Sequence, residues 1–148
     1  MKTEIYTIGA NGKSPKKFME LLMRNRIDLV IDVRLNYKSQ LAGFAKGGDD
    51  FLGYILKEIG NIAYVHDPVF APTDDILDTY HKDKNWGNYV TKFSRLIEAR
   101  GMKGHFLKAY EGKYQRVCLL CAEETPVQCH RRLVAEAITG DPKKVKHL

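Results

Sequence analysis

Two short apolar runs do most to restrict the folds open to this chain. Leu29-Val30-Ile31, set between Asp28 and Asp32-Val33, and Val117-Cys118-Leu119-Leu120 are hydrophobic without polar alternation. Strands with one wet face alternate; unbroken runs suit a parallel sheet covered on both faces. The rest of the chain supplies the expected partners. Glu4–Ile8 reads as a first strand, and Ser14-Pro15 as cap and first residue of a helix with Phe18, Leu21 and Leu22 on one face. A second helix is expected over 50–59, a strand over 62–65, a short helix over 74–80 and a longer one from Asn85. Residues 103–112 fit either helix or loop. Thr125, Pro126 and Gln128 together suggest a capped last helix over 125–139, and 145–148 a final edge strand.

This order predicts an α/β protein: a single domain over 1–148 with an open, mostly parallel sheet of four or five strands and helices on both faces. No repeat, low-complexity tract or linker argues for a second domain. No segment is long enough and free enough of charge to span a membrane. Met1–Gly9 lacks the apolar core and cleavage site of a signal peptide, and three cysteines fit a reducing compartment, so a cytoplasmic location is expected. The net charge of +6 is uneven: 1–48 carries nine Lys/Arg against four acids, 49–100 six against nine, and 101–148 nine against five. Basic ends around an acidic middle suit an anionic ligand as well as mere solubility.

In open α/β sheets, ligands bind outside the carboxyl ends of the strands. Polar residues interrupt the apolar pattern at four such ends: Gly9-Ala10-Asn11, Asp32 with Arg34, His66-Asp67, and Cys121 with Glu123. Asp32 lies in a run that should be buried, where a carboxylate needs a partner, and Arg34 is the nearest cation. The pair is either a loop-pinning ion pair or an acid/base group beside an anion-binding guanidinium. On a helix from 125, Cys129 and His130 fall on the sheet-facing side, with Arg131 and Arg132 turned outward toward ligand or solvent. Tyr37 and Phe44, in the basic glycine-containing loop 34–48, are placed to meet a ligand, and a loop of that length often acts as a lid. Trp86 and Tyr89 read as helix packing, with base stacking as a secondary role.

Cys118 and Cys121 have CxxC spacing, but strand positions three apart face opposite sides of the sheet. Cys121, Cys129 and His130 could meet at a zinc ion but lack a clear fourth ligand, so no metal site is assigned. No GxGxxG, Walker A, HExxH, GxSxG or EF-hand pattern occurs, and no cofactor is assigned.

The same residues resemble a family known as domain of unknown function 488. Its Tyr-Thr-Ile-Gly-His-(Ser/Asn) signature resembles Tyr6-Thr7-Ile8-Gly9-Ala10-Asn11, and its Asp-Val-Arg matches Asp32-Val33-Arg34. Gly43-Phe44, Tyr64-Val65-His66, Trp86-Gly87-Asn88-Tyr89 and His147 fall in the expected order. The most specific match is Leu119-Leu120-Cys121-Ala122-Glu123, then Pro126, then Cys129-His130-Arg131. Ala10 replaces a family His, and Phe70-Ala71-Pro72 a Leu-Gly-Gly. The resemblance implies a shared site at Asp32, Arg34, Glu123, Cys129, His130 and Arg131 without naming a reaction.

The leading expectation is an enzyme acting on a nucleotide, nucleic acid or other phosphorylated substrate. Asp32, Glu123 and His130 would move protons, and Asn11, Arg34, Tyr37, Phe44, His66, Cys129 and Arg131 would bind. The alternatives are a binding module without turnover, and thiol chemistry at Cys121 or Cys129.

Overall fold

A computed structural model describes residues 2–38 and 43–148 of the chain. Residues 39–42 of the expected lid loop lie outside the described residues. Among the described residues, five strands form one sheet: β1 (Glu4–Gly9), β2 (Leu29–Asp32), β3 (Ala63–His66), β4 (Arg116–Cys121) and β5 (Val145–His147). Their order is β3-β2-β4-β1-β5, and every pairing is parallel. The described helices are α1 (Pro15–Arg24), α2 (Leu52–Gly60), α3 (Asp74–Asp83), α4 (Trp86–Arg100), α5 (Met102–Ala109) and α6 (His130–Thr139). None is long and apolar enough to cross a membrane.

The unbroken apolar runs are explained by two cores. Ile5, Leu29, Ile31, Val117 and Leu119 pack against Phe93, Phe106, Val134 and Ala135 from α4, α5 and α6. Tyr6, Ile8, Val30, Cys118 and Leu120 pack on the other face against Phe18, Leu22 and Leu56 from α1 and α2. Each apolar residue of β2 and β4 therefore meets apolar neighbours on whichever side it points. Cys118 and Cys121 fall in opposite cores, as strand alternation requires.

Local signals set most boundaries. Ser14 accepts from Lys17 N with Pro15 leading α1, Thr73 caps α3 and Asn85 caps α4. Residues 103–112, open to either reading, are mainly α5, which follows α4 through Gly101 in the left-handed conformation at φ 56°. The last helix departs from expectation: it begins at His130, with Cys129 at its N-cap and no side-chain cap. Arginines of its first turn take the carbonyls of the preceding loop. Arg131 Nη1 donates to Glu123 O at 2.7 Å, while Arg132 donates to Pro126 O at 3.2 Å and Val127 O at 3.1 Å. The capping pattern at Thr125 loses to these tertiary contacts, so 122–129 is a loop laid across the sheet edge.

The chain order places a crevice at β4. The connections from β1 and β2 run toward β3, whereas that from β4 runs over β1 to β5. Loops leaving neighbouring strands in opposite directions open a gap above the carboxyl edge. Gly9 ends β1 at this gap, and a Cβ there would lie 1.7 Å from Glu123 O. Gly9→Ala should therefore displace the 122–129 loop and lower stability by about 1–3 kcal/mol, read from urea unfolding. Unchanged stability would mean that the loop is not seated on β1.

Beyond β3, Asp67 accepts from Val69 N at 3.1 Å and from Tyr110 Oη, and pairs with His105 at 2.7 Å. Burial works to raise its pKa, but the bonds from Tyr110 and His105 outweigh it and hold the carboxyl below its ordinary value. A depressed folded-state carboxyl adds stability above its unfolded value of about 4, lost as pH falls through the folded value. Asp67→Asn should therefore reduce the loss of stability on acidification below about pH 4, measured by urea unfolding across pH. An unchanged acid limb would contradict that linkage.

Candidate functional site

A cleft of about 480 Å³ lies at this carboxyl edge. Its floor comes from the ends of β1, β2 and β4: Asn11, Arg34, Cys121, Glu123, Cys129 and His130 all line it. One wall is aromatic and comes from α3 and α4. Trp86 stacks on Tyr89 at 4.9 Å between ring centroids, and Tyr80 meets both edge-on. His81 and Lys84, both exposed, add basic groups at the rim.

Arg34 is held rigidly. Its Nε donates to Asp32 Oδ1 at 2.8 Å and its Nη2 to Asp32 Oδ2 at 2.7 Å, while Nη2 also reaches Ala45 O at 2.9 Å. Asp32 accepts further from Arg34 N at 3.2 Å and from Tyr64 Oη at 2.7 Å, and is fully buried. Four donors occupy the carboxylate, and Asp32 does not line the cleft. Its geometry is that of a positioning residue for Arg34, whose Nη1 has no partner among the described residues. The Arg34 guanidinium is raised above its ordinary value: burial opposes the charge, and the bond to Asp32 more than restores it. Burial and the neighbouring Asp32 likewise push the Tyr64 phenol up, so it remains a donor.

His130 has a defined tautomer. Its Nε2 lies 2.7 Å from Val33 O, an atom that can only accept, so Nε2 carries the proton. Its Nδ1 faces Cys121 Sγ at 3.7 Å. Phe93 holds the ring edge-on at 5.5 Å between centroids.

Beneath them lies Arg131, expected to point outward but fully buried. Charged helix residues ordinarily face water, yet its guanidinium finds internal acceptors in Glu123 O at 2.7 Å, Thr7 Oγ1 at 3.3 Å and Cys129 Sγ at 3.5 Å. None is a carboxylate, and Nη2 is buried without a partner among the described residues. An uncompensated internal cation favours nearby anions. The Cys121 thiol is drawn below its ordinary value, first by the hydrogen bond from Cys129 and further by Arg131. The same bond, with burial, pushes the Cys129 thiol well up. Of the two sulfurs, Cys121 is therefore the one that gives up its proton first. Cys118, on the other face, is raised by burial.

Of the residues expected at the site, Asn11, Arg34, Glu123, Cys129 and His130 converge, while Asp32 and Arg131 stand behind them. Tyr37 and His66 stack on each other at 3.5 Å, and His66 Nε2 meets Arg34 O at 2.8 Å; neither lines the cleft. Phe44 is not brought to the site: it packs edge-on against Phe18 at 5.3 Å beside α1. Trp86 and Tyr89, read mainly as helix packing, form a cleft wall, and His81 and Lys84 join it without a local sequence signal. Their place depends on how α3 meets the sheet edge, which no local pattern encodes.

The fold and this site define an α/β protein with a thiol- and imidazole-floored cleft at a strand crossover. The model of the family described as Domain of unknown function DUF488 matches residues 14–138, and the chain belongs to that family. No curated protein and no solved structure matches it.

The ion pair yields a direct test. Asp32→Asn leaves the Arg34 guanidinium buried without its counter-charge and should cost about 3–5 kcal/mol in urea unfolding. Tyr64→Phe, which removes one neutral donor, should cost about 1–2 kcal/mol. Equal losses would contradict the assignment of Asp32 as the anchor of Arg34.

Proposed function

We propose that the protein is an enzyme acting on a nucleotide or related phosphorylated molecule, bound in the cleft at the carboxyl edge. The observation that carries this reading is the meeting of aromatic wall, fixed guanidinium and titratable floor in one cleft. Arg34 presents Nη1, unpartnered among the described residues, to an anion, with Lys84 and His81 at the rim, while Trp86 and Tyr80 offer ring faces and edges to a base. A ligand with a planar apolar part and a charged part satisfies both walls.

In this reading Asp32 has no proton-transfer role, because its oxygens are occupied by Arg34 and Tyr64. Glu123 is the exposed carboxylate lining the cleft and serves as general acid or base. His130, with Nε2 tied to Val33, presents Nδ1 on the Cys121 side of the floor.

A panel of nucleotides and sugar phosphates, screened by calorimetry and product analysis, tests the proposal. Binding should weaken as salt rises, and Lys84→Ala should weaken it about tenfold through loss of one charge-assisted contact. Glu123→Gln should lower turnover at least about a hundredfold with little change in binding. Salt-sensitive binding without turnover would leave a binding module in place of an enzyme. No binding to any member would overturn the reading of the cleft.

A further inference from the structure

We propose that Cys121 Sγ, Cys129 Sγ and His130 Nδ1 bind a zinc ion whose fourth position opens to the cleft. One ligand atom of each residue lies within 4.8 Å of the other two, and all three residues are buried. Tetrahedral zinc, with Zn–S near 2.3 Å and Zn–N near 2.0–2.1 Å, requires ligand edges of roughly 3.8 Å between sulfurs and roughly 3.6 Å from sulfur to nitrogen. Cys121 Sγ and His130 Nδ1 already stand 3.7 Å apart.

Three further features support the assignment. A metal-bound histidine ordinarily donates its other ring N–H to a carbonyl or carboxylate, and His130 Nε2 is committed to Val33 O at 2.7 Å. Two thiolates neutralise a divalent ion, and Arg131 Nη1, 3.5 Å from Cys129 Sγ, stabilises a sulfur anion as an outer hydrogen-bond donor. Finally, no fourth Cys, His, Asp or Glu joins the group among the described residues, while all three members line the cleft. Structural zinc sites close with four protein ligands, whereas three-ligand sites keep a position for water or substrate. The site's use as a Lewis acid for a phosphorylated substrate rests on the function proposed above; its existence does not.

The test uses the full chain stripped with a chelator and titrated with Zn²⁺ or Co²⁺ alone. One equivalent should bind, and the cobalt form should show thiolate charge-transfer bands with the intense visible bands of a tetrahedral site. Cys129→Ser and His130→Ala should each weaken binding at least about a hundredfold, while Cys118→Ala, on the opposite face, should retain one equivalent. The wild-type cobalt spectrum reports thiolate ligation even if a variant fails to fold. No binding, an octahedral spectrum lacking thiolate bands, loss of the ion in Cys118→Ala, or a Cys121–Cys129 disulfide that forms in preference to metal binding would overturn the site. Nucleotide binding by the stripped protein is read separately, so a failed metal site and a failed cleft are distinguishable.

Discussion

A buried guanidinium organises the carboxyl edge of this sheet. Arg131 joins Thr7 on β1, Glu123 in the loop after β4, and Cys129 at the head of α6. Thr7 in turn meets His147 on β5, so the contacts cross from the edge strand to the central one. Burying a cation without a carboxylate partner costs several kcal/mol unless dipoles and anions compensate. Here compensation comes from a carbonyl, a hydroxyl and sulfur, which ties loop position to thiol ionisation. The loop could not lie lower, because Gly9 already leaves no room for a methyl group beneath Glu123 O.

A second buried guanidinium is handled differently. Arg34 has a full carboxylate partner in Asp32, with Tyr64 adding a third side chain to the cluster. The two arginines therefore divide their work. Arg34 is neutralised behind and available in front, where an anion can approach; Arg131 is enclosed and acts on the sulfurs. His130 lies above the β2 end, bonded to the carbonyl of Val33, the residue between Asp32 and Arg34. The crossover at β4 brings these groups together, since it leaves a gap between loops that depart in opposite directions.

Much of the architecture was legible because it depends on local periodicity. The unbroken runs at 29–31 and 117–120 announced parallel strands with two covered faces, and Ser14-Pro15 and Asn85 marked real helix starts. The start of α6 was not legible: Thr125, Pro126 and Gln128 form a sound capping pattern, overridden when Arg131 and Arg132 claimed loop carbonyls from outside. Arg131 was misplaced for a related reason, since its acceptors come from strand, loop and cap together. Phe44 shares a basic loop with Tyr37 by sequence, yet packs on Phe18 beside α1, away from the cleft. Trp86 was visible as an aromatic at helical spacing, but only tertiary packing makes it part of a cleft wall.

The central claim is that the hydrogen bond from Cys129, joined by the charge of the enclosed Arg131, draws the Cys121 thiol below its ordinary value. The most direct measurement is the Cβ chemical shift of Cys121 followed against pH by NMR in chelator-treated protein, for wild type and Arg131→Met. The account predicts that wild-type Cys121 titrates below the ordinary thiol value of about 8.5 and that the substitution moves it upward. A wild-type thiol titrating at or above that value, or one unmoved by loss of the guanidinium, would contradict it.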